Sequence, residues 1–343
     1  MNVVAKSALD AWRPLLPARE LKQRPCEVHL LGHEIVLYRT ADGRAHALNN
    51  RCPHRRMRLA LGAVVGDRLV CPYHGWNFGP DGAGASPANS GLRVQTQCYD
   101  VSEHHGMLWL REAGGGGELP PLQHDDFLPV ARLHHVVAAP LGLLIDNMCE
   151  LEHTASVHSV FGFETERLHE VRSEARRVED GFDIDYEGPQ RQLPWYLRWA
   201  TGIRRGDRFV QRASVRRTPM HATYDLEWFA SGSMPQRRPL ALKFVIFFNE
   251  TGPDSGTQTT FVFAQASAPI TRLAIRYLGF VLRHHIDAEL RADIALVESL
   301  RLGPDMAPHG VCGRFDKPLV MRRQAEARAQ KQAAAVPLRS VPG

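Results

Sequence analysis

The chain has 343 residues, of which 44% are hydrophobic and 23% charged, with a formal net charge of +5. This is the profile of a water-soluble protein of about two domains. No run approaches the roughly 20 apolar residues of a membrane span, and the opening MNVVAKSALDAWRPLL lacks the apolar core of a secretory signal, so a cytoplasmic protein with no membrane partner is expected. The arginines are dispersed and no nucleic-acid module accompanies them, which sets nucleic acid aside as a partner.

Residues 1 to about 20 read as a helical or irregular lead-in. From Glu27 to Asn49 the pattern turns strand-like, with Asp42-Gly43 marking a hairpin, so a small antiparallel sheet is expected there. Next come Cys52 and His54 as Cys-x-His, then sixteen residues, then Cys71 and His74 as Cys-x-x-His, with Pro53 and Pro72 beside the two pairs. Two such matched loops suit a metal centre, and packing alone does not need them. A tetrahedral zinc ion is the commoner use of short Cys/His spacings. Cys26, Cys98, Cys149 and Cys312 form no repeating framework and are expected to be reduced, buried thiols.

The second pair continues into Gly75 and Trp76, and the whole segment resembles the Rieske signature, CxH followed by CxxHGW. The resemblance implies a [2Fe-2S] cluster with one iron on Cys52 and Cys71 and the other on His54 and His74. Neutral imidazoles in place of two thiolates raise the reduction potential of such a cluster above that of all-Cys ferredoxins. Arg55, Arg56 and Arg58 lie beside the first pair, where they can meet an acidic partner or simply tune solubility and potential.

Closing strands run to about residue 112, and AGGGGELPP, residues 113–121, reads as a linker. Beyond it, Asn147, Glu150, His153 and His158 fit N-x-x-E-x-x-H-x-x-x-x-H. A spacing of five on a regular helix puts the two imidazoles roughly 140° apart, so a break or π-type turn is needed to bring them to one ion. In isolation, two such histidines are more often hydrogen-bonded core residues.

Following a Rieske motif, this stretch resembles the mononuclear iron motif of Rieske non-haem iron oxygenases. The resemblance implies a facial triad of His153, His158 and a distant carboxylate. It makes Glu150 the acid that bridges a neighbouring subunit's cluster to the iron, although the family usually has Asp there, and it sets Asn147 near the metal. The helix from His284 carries an apolar stripe of Ile286, Leu290, Val297 and Leu300 whose spacing is completed by Asp293. A carboxylate on a buried face is costly without a cation. Asp293 also falls where the resemblance implies the carboxylate ligand, so it is expected as the third ligand, with Asp287 second choice, while Asp287, Glu289 and Glu298 lie off the stripe and are expected to be solvated.

Between these segments RFVQRASVRRT, ATYDLEWFAS, LALKFVIFFNE and TTFVFAQAS alternate as strands of one antiparallel sheet. Trp195, Tyr196 and Trp199 form an aromatic cluster, either plain core or a cap on a cavity. The basic helix from Arg322 to Lys331 reads as a solvated face or subunit contact.

The fold class expected is α+β: an all-β Rieske [2Fe-2S] domain (1–112), the linker, a helix-grip (START-like) antiparallel-sheet catalytic domain (122–323) and a basic tail (324–343). The resemblance implies the oxygenase component of a multicomponent monooxygenase. It would hold a Rieske cluster and mononuclear Fe(II), take NAD(P)H electrons through a ferredoxin or flavin reductase, and use O2 to hydroxylate or demethylate a small organic substrate. A vanillate- or dicamba-type head-to-tail homotrimer is implied by the same resemblance. Desaturation, oxidative cyclisation or cis-dihydroxylation are alternatives for the same iron site, and a Rieske electron carrier without catalytic iron is the alternative of a different class.

Overall fold

The computed structural model describes residues 9–122, 126–232, 234, 236–300 and 312–334. The amino-terminal half holds two sheets. One has six strands in the order β1-β11-β10-β4-β3-β2, formed by β1 (Arg13–Pro17), β2 (Cys26–Leu30), β3 (His33–Arg39), β4 (Ala45–Asn49), β10 (Cys98–His104) and β11 (Met107–Glu112). The other runs β5-β6-β7-β8-β9, from β5 (Ala63–Val65), β6 (Arg68–Val70), β7 (Asn77–Phe78), β8 (Ala83–Ser86) and β9 (Asn89–Gln95). The Asp-Gly hairpin joins β3 to β4, with Gly43 at φ 83° and the Thr40 N–H bonded to Arg44 O. The lead-in is not helical where it is described, because Arg13–Pro17 pairs with β11 as an edge strand and a single 3-10 turn comes after it. Residues 1–8 lie outside the described residues.

The second half is built on a seven-stranded antiparallel sheet in the order β12-β18-β17-β16-β15-β14-β13. It adds β12 (Leu128–Val137), β13 (Arg172–Val178) and β14 (Gly181–Pro189) to the four strands expected from sequence, β15 (Arg208–Arg217), β16 (Met220–Phe229), β17 (Arg237–Gly252) and β18 (Ser255–Ala266). β17 and β18 are apolar on consecutive residues because both their faces are covered. Phe244, Ile246, Val262 and Ala264 face the main core, whereas Val245, Phe247, Phe261 and Phe263 pack with Trp12, Met107, Trp109 and Leu122 of the first half. The Trp109 ring stands edge-on to Phe247 and stacks on Phe261, so an aromatic seam joins the two halves.

The described residues of this half also form five α-helices: α1 (Leu141–Cys149), α2 (Glu152–Val157), α3 (Trp195–Thr201), α4 (Pro269–Ser299) and α5 (Lys317–Ala334). α4 starts fifteen residues before His284, at Pro269, whose fixed φ and missing N–H suit a first helical turn. Its carboxy-terminal half lays Ile286, Leu290, Ile294 and Val297 on the sheet, while Leu300, beyond the helix end, is exposed. Its amino-terminal half leaves Ile270, Leu273, Tyr277 and Phe280 in solvent beside Trp195 (73% exposed) and Trp199 (67%). Trp195 and Trp199 are thus not core; with Tyr196 and the first turns of α4 they line an apolar cavity of about 510 Å³ that is separate from the triad. Only Tyr196 turns inward, to share a 2.7 Å hydrogen bond with His285 Nε2.

The basic tail helix exposes Gln324, Ala327 and Arg328, as a solvated face would, but its first turns are anchored to the domain. Arg322 and Arg323 both bind the carboxylate of Asp146 on α1, and Arg322 and Asp146 are buried. None of the six cysteines is in a disulfide; of the four outside the loops only Cys149 is buried, while Cys26 and Cys98 are half-buried and Cys312 is exposed.

Candidate functional sites

The two Cys/His loops are built to one plan. In the first, the Arg56 N–H bonds to Cys52 O and the Cys52 N–H to Met57 O; in the second, the Gly75 N–H bonds to Cys71 O and the Cys71 N–H to Trp76 O. Each loop turns through a left-handed residue four positions after its cysteine, Arg56 at φ 60° and Gly75 at φ 71°. The turns bury Cys52 and Cys71 side by side and leave His54 and His74 exposed, their ring centroids 4.6 Å apart. Trp76 stacks on His54 at 4.6 Å and 6° between planes.

Burial, together with the hydrogen bond that the Cys52 thiol makes to Cys71, pushes the Cys52 thiol pKa up. Two buried thiols with no cation between them suit a metal that would take their protons. The two thiols lie beside each other and the two imidazoles lie beside each other, a pairing that would suit a binuclear centre with one iron on the cysteines and one on the histidines.

The second site forms where α1 ends. Helix carboxyl ends leave carbonyls without partners; here two tyrosines from the inner face of the sheet supply them, Tyr224 Oη donating to Met148 O at 2.7 Å and Tyr186 Oη to Cys149 O at 3.3 Å. The chain then leaves the helix at Glu150 (φ −110°, ψ 159°), whose carboxylate accepts the Glu152 N–H at the start of α2 and contacts His153 Nδ1. α2 stops at Val157, and His158 is extended (φ −83°, ψ 150°). This helix end, not a π turn, is the break that lets both imidazoles converge.

His158 Nε2 lies 3.0 Å and His153 Nε2 3.4 Å from Asp293 Oδ1, and Asp293 is 3% exposed. Burial lowers the His158 pKa, but the hydrogen bond and charge of Asp293, with Glu289 behind, outweigh it and leave the pKa raised. Both Nε2 atoms therefore face one buried carboxylate, and the three groups could hold a divalent ion. Asn147 is buried one turn back on α1, its Nδ2 without a partner. Asp287 bonds instead to His135 Nε2 and Arg291.

Glu289, expected in solvent, is only 6% exposed. Its Oε1 accepts N–H groups from Ser159 (2.9 Å), Val160 (2.5 Å) and Phe161 (3.3 Å), the segment just after His158. It sits one helical turn before Asp293, so the spacing that selects the ligand also selects Glu289. Gly162 closes this turn at φ 99°, where a Cβ would lie 2.6 Å from Thr154 Oγ1. Beside the triad is a cavity of about 100 Å³, walled by residues such as Met148, Phe161, Phe244, Ile246 and Leu290.

Residues 11–99 match the family described as the Rieske [2Fe-2S] domain. Both Cys/His loops lie inside the matched stretch. The chain is 33% identical over 162 residues to the oxygenase component of chloroacetanilide N-alkylformylase from Rhizorhabdus wittichii, an alignment covering 43% of this chain and 46% of that protein. It is 32% identical over 161 residues to the oxygenase subunit of vanillate O-demethylase from Pseudomonas sp., covering 44% and 45% respectively. The alignments thus span about half the length of these relatives.

Beyond the Rieske domain the likeness is one of fold. The crystal structure of dicamba monooxygenase bound to 3,6-dichlorosalicylic acid superposes with a TM-score of 0.75 at 17% identity, covering 97% of this chain and all of that one. The caffeine complex of NdmA from Pseudomonas putida gives 0.66 at 22% identity, covering 95% and 92%. The chain therefore shares the fold of these two solved structures over nearly its whole length.

Proposed function

We propose that the chain is the oxygenase component of a Rieske monooxygenase system, hydroxylating or demethylating a small organic molecule. The convergence of His153, His158 and Asp293 on one point beside an apolar cavity, in a chain that also carries a Rieske domain, carries this reading. Cys52, Cys71, His54 and His74 would hold the [2Fe-2S] cluster, and the triad would hold Fe(II). When bound, the cluster supplies single electrons and the mononuclear iron supplies the site of dioxygen reduction.

The residues themselves divide the remaining work. The exposed imidazoles His54 and His74 present the edge of the Rieske domain to other proteins, while the buried cysteines keep solvent from the opposite end. Glu150 holds His153 through Nδ1, which fixes the ring and turns Nε2 toward Asp293. By the resemblance to the Rieske non-haem iron oxygenases, Glu150 would meet a neighbour's Rieske edge in a head-to-tail homotrimer, with a ferredoxin or flavin reductase as electron donor.

Metal analysis of anaerobically reconstituted protein tests the reading. A third iron beyond the cluster, lost in Asp293→Ala while the visible spectrum of the cluster persists, is expected, together with substrate-dependent O2 uptake in the presence of a reductase. Protein that takes up only the cluster iron would be an electron carrier.

A further inference from the structure

The cavity walls say what kind of molecule fits beside the triad. The charged residues lining it are Glu150, Glu289, Asp293 and the two histidines, and no Lys or Arg lines it among the described residues. The nearest guanidinium on the His158 segment, that of Arg191, is bonded to the carbonyls of Thr154 and His158. Three carboxylates outnumber the charge of one divalent ion. An organic anion entering this space would lose its hydration with no cation of the protein to meet it, and transfer of an unpaired charge into such a site is strongly unfavourable.

The polar atoms in the walls are mostly already engaged. Tyr224 Oη donates to Met148 O, Thr154 Oγ1 donates to Leu151 O, and Glu150 and Glu289 accept from the neighbouring backbone. Gln211 is different. It lies on β15 between Phe209 and Ala213 on the face turned to the core, and its carboxamide makes no hydrogen bond among the described residues. A glutamine amide has two donor hydrogens and an acceptor oxygen. On an otherwise apolar strand face it is poised to read one group of a ligand.

Building on the oxygenase reading, we infer that the cavity takes a compact, uncharged, largely apolar molecule with one hydrogen-bonding group, a carbonyl, carboxamide or hydroxyl, recognised by Gln211, and that it rejects carboxylates. The size agrees. At about 100 Å³ the space is smaller than the apolar cavity of about 150 Å³ that accepts benzene, which holds the occupant to one small ring at most.

Binding of matched single-ring pairs, benzamide against benzoate and acetophenone against phenylacetate, to cluster-loaded, Co(II)-substituted full-length protein tests this by ligand-observed NMR, with the Co(II) absorption spectrum as site marker. The neutral members are expected to bind and perturb the Co(II) bands, with the carboxylates about a hundredfold weaker. Gln211→Leu is expected to weaken the neutral members about tenfold, and Gln211→Arg to admit the carboxylates. Equal or tighter binding of the carboxylates, unchanged neutral affinity in Gln211→Leu, or no binding by either member overturns the inference. Metal uptake separates the two readings. A protein that loads iron and consumes O2 but prefers anions refutes only the substrate class, whereas one that binds neutral rings without retaining a third metal refutes only the oxygenase.

Discussion

Glu289→Ala is the sharpest test of how the site is held. The carboxylate gathers three consecutive N–H groups, at 2.9, 2.5 and 3.3 Å, immediately after His158. Ser159 is exposed, so its N–H can turn to water, but Val160 is buried and its N–H cannot. Stranding one buried donor costs about 1–3 kcal/mol, and the charge-assisted bonds lost with it bring the total to about 3 kcal/mol. Opening of this turn should then be easier by about a hundredfold. Amide hydrogen exchange at Val160 and Phe161 reads that opening directly, and Co(II) affinity reads its effect on His158. Glu289→Gln keeps an acceptor oxygen and should lose only about 1 kcal/mol. Unchanged exchange at these amides in Glu289→Ala would show that the turn stands without the carboxylate and would refute the reasoning.

Glu150→Ala, which frees His153 Nδ1, should lower affinity for the mononuclear metal about 10- to 100-fold, measured by metal titration; the cluster spectrum should not change. Asp146→Ala leaves Arg322 and Arg323 facing each other without the carboxylate they share, and removal of one partner from a buried pair costs about 3–5 kcal/mol, a loss that denaturant unfolding would detect. His134 has its pKa pushed down to about 4 by burial and then by His135. The unfolded chain takes up this proton below about pH 6.5 and the folded one only near pH 4, so stability should fall by about 3 kcal/mol as pH drops through that window. His134→Asn should flatten this part of the stability profile.

The parts legible in the sequence were those where chemistry needs particular residue types at short range. The two Cys/His loops are local motifs, and their turn geometry is set by the few residues between the ligands. Asp293 was legible because a carboxylate interrupts an apolar stripe, yet the same stripe carries Glu289 one turn earlier, and treating it as solvated overlooked that a carboxylate can be buried by backbone N–H groups alone. Gln211 could have been found by the same logic on a strand, as the polar member of Phe209, Gln211, Ala213 and Val215. What sequence could not give was pairing across the fold. The burial of Arg322 depends on Asp146, 176 residues earlier in the chain, and the exposure of Trp195 and Trp199 depends on where α4 runs. An aromatic run carries no mark of which side a distant helix will leave open.

The inner face of the large sheet has two tasks that meet in one side chain. Tyr224 lines the cavity and also holds the last-turn carbonyl of Met148, two residues before Glu150. Tyr186, its counterpart on β14, holds the carbonyl of Cys149 and is not among the residues lining the cavity. The position of the α1 end, and with it the carboxylate that orients His153, is therefore set by a residue that an occupant of the cavity must touch. An effect at Tyr224 on metal affinity would come from the hydrogen bond to Met148, and an effect on ligand choice from the ring. Removal of the hydroxyl alone separates the two, because it breaks the bond and leaves the apolar wall in place.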